Sequence, residues 1–161
     1  MNESRPAGRI VQISISPGGV PKLPIAGARL GPLGLDGDQH RDHRHHGGPD
    51  RALCLYSVEQ IAALQAEGHP IFPGAIGENL TVAGIDLGAL GPGARLQIGD
   101  DVLIEITGYA SPCTNIEPYF ADGKSIRVSQ KVRPGWSRLY ARVLQEGEIA
   151  VGQPVDLLPG E

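Results

Sequence analysis

Cys113 stands in the turn Ser111-Pro112-Cys113-Thr114-Asn115. A thiol in a proline-led polar turn is a candidate nucleophile or a ligand for a soft metal. The thiolate is the reactive form, and it forms readily only beside a positive field or a hydrogen-bond donor. No lysine or arginine adjoins Cys113 in sequence, so that help must come through the fold, with Arg127, Lys131, Arg133 and Arg138 as downstream candidates. A second segment, residues 36–50, holds four of the five histidines. His and Asp are common ligands of divalent metals. Neighbouring histidines on a loop cannot all reach one ion, however, and no His-x-x-x-His on a helix fixes a spacing. An anion site fits these residues better. Gly47 and Gly48 permit positive φ and close backbone approach, successive amides in such a turn bind anions, and His46 and Arg51 add donors. The bland alternative is a solvated loop whose charges keep it soluble. A third segment, residues 73–82, carries Gly77-Glu78-Asn79 at the entry to a strand. On residue type alone, Glu78 and Asn79 read better as caps of turn backbone groups than as ligands.

These segments need a scaffold, and the flanking sequence predicts strands. Val11, Ile13 and Ile15 alternate with Gln12, Ser14 and Ser16, the period of a half-buried strand. Pro17-Gly18-Gly19 ends it. Further strands are expected over 25–30, 51–56, 80–82, 95–98, 102–107, 139–144 and 155–158. Ser57 and Gln60 form a capping-box pattern opening a helix over 58–67, with Gly68 as its stop. Residues 123–132 are ambiguous and fit a short helix. Residues 31–50 show no apolar periodicity, and so long a loop in a small domain is commonly functional. Its lack of apolar anchors makes 40–48 a candidate lid.

A chain of 161 residues and 17.0 kDa predicts one domain spanning 1–161. It holds 23 glycines and 14 prolines, about twice the average share of the pair. Both residues break helix interiors, which disfavours a helical bundle. A hydrophobic content of 40% argues against disorder. Many short strands between Gly/Pro turns predict a mainly β fold, a closed or nearly closed β-barrel with a few short helices. The formal charge of −4 shows no basic excess, so nucleic acid is not an expected partner. No apolar run nears the ~18 residues of a membrane span, and residues 1–6 lack the apolar core of a secretory signal. A cytoplasmic protein with reduced thiols is expected, with no membrane partner. Cys54, in the apolar run Ala52-Leu53-Cys54-Leu55-Tyr56, reads as an inert core thiol, and Cys113 as the accessible one.

Taken in order, Gly34-Leu35-Asp36-Gly37-Asp38, His46-Gly47-Gly48-Pro49-Asp50-Arg51-Ala52, Tyr56-Ser57, Gly74, Gly77-Glu78-Asn79-Leu80-Thr81 and Pro112-Cys113 are familiar. The pattern resembles the MOSC domain, the C-terminal domain of molybdenum cofactor sulfurases. That domain also occurs in stand-alone bacterial proteins and in the mitochondrial amidoxime-reducing component. The resemblance runs from about residue 10 to 157. It implies a barrel similar to that of pyruvate kinase. It implies that Cys113 carries a sulfur atom or ligates molybdenum. It also implies that His46, Gly47, Gly48, Arg51, Gly77, Glu78 and Asn79 lie near that cysteine and bind the molybdenum cofactor (molybdopterin), with the phosphate end at the Gly-Gly turn. Two activities follow from the likeness. One is reduction of N-hydroxylated small molecules with electrons from a redox partner protein. The other is sulfur transfer from a cysteine desulfurase, whose pyridoxal phosphate stays in that partner. A non-catalytic binding module for an anionic small molecule is the alternative. Many members carry an arginine shortly before Pro-Cys. This chain reads Gly108-Tyr109-Ala110-Ser111 there, so another residue must take its place.

Overall fold

Strand β1 (Gly8–Ile15) sets the frame of the computed structural model, which describes residues 8–39 and 48–160. Ile10 and Ile13 of β1 are both fully buried. Simple alternation would put them on opposite faces, but the register shifts between Ile10 and Gln12 and returns Ile10 to the inside. Beside β1 run β2 (Leu23–Ile25), β6 (Leu80–Ala83) and β11 (Pro154–Leu157). The ring continues through β7 (Arg95–Ile98), β8 (Val102–Tyr109), β9 (Leu139–Gln145) and β5 (Leu53–Ser57), which returns to β6. Among the described residues this is a closed seven-stranded barrel, the closure expected from the sequence. Every neighbouring pair is antiparallel except β5 and β6. A parallel pair needs a crossover, and here it contains helix α1 (Val58–Ala66). A small second sheet joins β3 (Gly27–Gly31), β4 (Gly34–Leu35) and β10 (Gly147–Ala150).

Inward residues fill the barrel with Leu53, Leu55, Leu80, Val82, Leu96, Ile104, Ile106 and Leu139. A second apolar cluster sits outside, where Ile61 and Leu64 of α1 meet Tyr56, Ile71, Ile76, Ile116, Phe120 and Val128. The N-terminus of α1 is capped as its sequence predicts, with Ser57 Oγ accepting from the Gln60 amide at 3.2 Å. The other half of the box is absent, because the Gln60 side chain donates to the Gly135 carbonyl instead. Replacing Ser57 with alanine is expected to cost about 1 kcal/mol in urea unfolding, the usual size of a lost cap. An unchanged midpoint would mean that Glu59, which accepts from the same hydroxyl, takes over the capping.

Several expectations need correction. The single strand over 25–30 is two strands in different sheets, β2 on β1 and β3 on β10. Arg51 is not in a strand: Pro49–Arg51 makes a 3₁₀ turn, and β5 begins at Leu53. Ser14 and Ser16 do not face solvent, because the 74–79 turn and the 36–39 segment lie over them. The ambiguous 123–132 stretch holds a 3₁₀ turn, Ser125–Val128. No helix among the described residues is long and apolar enough to cross a membrane.

Candidate functional site

β8 ends at Tyr109, and the chain then turns through Ser111-Pro112-Cys113 into the 3₁₀ turn Thr114–Tyr119. Cys113 carries a free thiol, half-buried against the outer apolar cluster. Cys54 is also free but buried, and burial pushes its thiol up to about 11. The sequence contrast between one inert and one accessible sulfur therefore holds.

Of the four cations named downstream, Arg138 reaches the Cys113 turn. Its Nη2 donates to the Ser111 carbonyl at 3.2 Å and its Nη1 to the Ile76 carbonyl at 2.8 Å. The side chain is sealed, since Arg138 is only 6% exposed. Its position is fixed by β9, because the Ala110 amide donates to the Arg138 carbonyl at 3.0 Å. Arg127 and Arg133 point elsewhere: Arg127 pairs with Asp122, and Arg133 lies 3.7 Å from Glu67 and over the Trp136 ring.

Tyr140 is a member that residue types did not reveal. It pairs across the sheet with Cys54, and the Arg51 guanidinium stands 5.1 Å from its ring centre. Burial, then the neighbouring Cys54, push its hydroxyl up to about 12, while Arg138 and Arg51 pull the other way and Cys113 adds a further rise. Tyr140 thus stays a neutral phenol, and its hydroxyl feels Cys113, Arg138 and Arg51 together. The alternation of β9 placed Tyr140 on the outer face, which was the available signal.

Gly48 has φ of +83°, and a Cβ there would meet no atom of the described residues within 4 Å. The following 3₁₀ turn is tied to the barrel through Asp50, whose carbonyl accepts from Thr107 Oγ1 and whose carboxylate accepts from Arg142 Nε at 3.1 Å. His46 and Gly47, with the whole proposed lid stem 40–47, lie outside the described residues.

Gly77-Glu78-Asn79 is sealed below. Glu78 is 0% exposed. Its Oε2 accepts from the Gly74 amide at 2.9 Å and from Thr81 Oγ1, while its Oε1 has no partner among the described residues. Burial outweighs these bonds and the Arg138 charge, and it pushes the carboxyl up to about 7. Asn79 is fully used by the fold. Its Oδ1 accepts from the Cys54 amide at 3.0 Å, and its Nδ2 donates to the Ser14 carbonyl and to Asp38 Oδ2. Asp38 in turn pairs with Lys22 at 2.7 Å, with both side chains buried. Gly74 lies where nothing larger fits: φ is +88° and a Cβ would stand 2.4 Å from the Lys22 carbonyl oxygen.

Among the described residues no three His, Cys, Asp or Glu side chains gather as a metal cluster. A half-buried soft donor, the positive-φ Gly48 turn, the Arg51 guanidinium and the buried Nε of Arg138, which has no acceptor among the described residues, suit a ligand with a soft centre and negative charge. Both Nδ2 protons of Asn79 are already taken by the fold. A separate cleft of about 390 Å³ opens beside α1, lined by Ser57, Gln60, Gly84 and Trp136, and none of these candidates lines it.

Known proteins share this architecture. The protein YiiM of Escherichia coli K12 is 31% identical over 148 residues, and the protein YflK of Bacillus subtilis 168 is 32% identical over 127. The chain spans 64% and 55% of those two relatives' lengths, and they cover 88% and 77% of it. The crystal structure of YiiM from Geobacillus stearothermophilus matches with a TM-score of 0.70 at 26% identity, covering 94% of this chain and 75% of that one. The MOSC domain profile matches residues 42–156, from the glycine turn to the last barrel strand, and so the chain belongs to the MOSC domain family.

Proposed function

We propose that this domain binds a molybdenum cofactor or holds mobile sulfur at Cys113. The observation that carries the reading is the half-buried free thiol of Cys113 in a turn whose Ser111 carbonyl accepts from the buried Arg138 guanidinium at 3.2 Å. Cys113 supplies the soft donor, as thiolate to molybdenum or as the acceptor of a sulfane sulfur. Arg51 and the Gly48 turn hold the anionic end of the ligand. Tyr140 stays a neutral phenol under the Arg51 guanidinium. When bound, the molybdenum centre supplies two-electron oxygen or sulfur transfer, and an N-hydroxylated substrate with an outside electron donor fits that chemistry. In the sulfur reading, Cys113 thiolate attacks the outer sulfur of a donor persulfide. The donor S–S bond breaks, a new S–S bond forms at Cys113, and the donor leaves as thiolate. A desulfurase partner would supply that persulfide.

Metal analysis and intact mass of native protein test the reading. Molybdenum with a pterin supports the cofactor role. A gain of one sulfur, lost on reduction, supports the carrier. Either signal should vanish in Cys113→Ser. Signals that persist in that variant, or neither signal in native protein, refute the assignment and leave a binding module for an anionic small molecule.

A further inference from the structure

Arg138 poses a physical problem. A guanidinium removed from water is stable only when paired with negative charge. Arg138 is 6% exposed, yet its two hydrogen bonds go to peptide carbonyls and its buried Nε finds no acceptor among the described residues. Glu78 is the acid that feels it, but the two form no ion pair, and the Glu78 carboxyl is pushed up to about 7, so near neutral pH much of that countercharge is missing. The other buried acid nearby, Asp38, is already matched by Lys22. One positive charge thus remains under the Cys113 turn.

We infer that Arg138 is the fixed countercharge for a small anion seated at Cys113, whether borne by a sulfur on the cysteine or by a bound oxyanion. Its two carbonyl bonds hold the 111–113 turn and the 76–78 turn on one guanidinium, so charge and position are set by the same side chain. Arg138 is a positioning residue in these terms. The inference rests on Cys113 being the working thiol. Its test, however, reads electrostatics and not sulfur or metal content, so it can fail while the functional reading stands, and the reverse.

The experiment compares alkylation of Cys113 by iodoacetate and iodoacetamide at one pH, with peptide mapping to exclude Cys54. The thiolate fraction cancels in the ratio of the two rates, leaving the local charge. The wild-type ratio should exceed that of free N-acetylcysteine by at least about fivefold, the effect of one charge about 4 Å away even at the dielectric of water. Sulfate at constant ionic strength should slow the iodoacetate reaction saturably. Arg138→Gln should return the ratio to the free-thiol value, and Arg138→Lys should keep most of it. A wild-type ratio equal to that of the free thiol overturns the inference without any variant. So does a ratio that survives Arg138→Gln. Should Arg138→Gln not fold, Arg51→Gln decides: an unchanged ratio supports Arg138, and a lost ratio assigns the field to Arg51 and overturns the inference.

Discussion

Glu78→Gln should stabilise the protein by about 3 kcal/mol at pH 8 and change little at pH 4. The carboxyl is wholly buried, and its pKa is raised from 4.5 to about 7, first by desolvation. The sign follows from proton counting. Between about pH 4.5 and 7 the folded state keeps a proton that the unfolded chain has released. Stability therefore falls as pH rises through that window, and it is fully present only below it. Above pH 7 the folded protein holds a buried carboxylate whose Oε1 has no partner. Glutamine removes that charge and keeps an oxygen to accept from the Gly74 amide and Thr81 hydroxyl. Urea unfolding of both proteins at pH 4, 6 and 8 measures the effect. The same difference at all three pH values would show that Glu78 does not titrate in this window.

Asn79→Ala should cost about 4 kcal/mol at pH 7 to 8. One side chain makes three hydrogen bonds that alanine cannot replace. Two involve neutral backbone groups, each contributing about 1 kcal/mol, and the one to Asp38 is charge-assisted and contributes about 2. The Cys54 amide would be left buried without this acceptor. Asn79→Asp should be worse, since it sets a second carboxylate 2.9 Å from Asp38 Oδ2. A loss under 1 kcal/mol for alanine would mean that water enters and serves the same groups. The contrast with Glu78 is useful: two adjacent buried residues of one turn should move stability in opposite directions.

The sequence made the barrel walls legible. Val102, Ile104 and Ile106 alternate with Leu103, Glu105 and Thr107, and β8 pairs with β7 in that phase, Ile104 opposite Leu96. It did not reveal that residues 23–31 serve two sheets, because Gly27, the one residue marking the break after Ala26, is also tolerated inside a single strand. The strand Gly147–Ala150 was missed because one buried residue, Ile149, gives no period. At the candidate site, Cys113 stood out by type, but its surroundings did not. Arg138 lies 27 residues from the carbonyl it binds at Ser111 and 62 from the one at Ile76. Tyr140 sits on the outer face of a strand, a position that usually means solvent, and only the fold brings Arg51 over it. Asn79 read as either turn cap or ligand. It is a cap for groups far away in sequence, on Ser14 and Cys54, which no local pattern encodes.

The barrel seam has a consequence in time. β1 meets β11 through only two residue pairs, Gly8 with Val155 and Arg9 with Pro154, helped by the Ile10–Gln153 and Gly152–Ile10 backbone bonds. The two strands that close the ring are therefore among the first and last made. While a ribosome is still adding residues 139–157, β1 has β6 on one side and β2 along Ile13–Ile15 on the other, but its Gly8–Arg9 end lacks β11. Such long-range closure slows folding and leaves an open strand edge during synthesis. The growing chain thus meets its greatest risk of self-association just before β11 is made, and cells that slow translation there, or shield that edge, should yield more of the closed barrel.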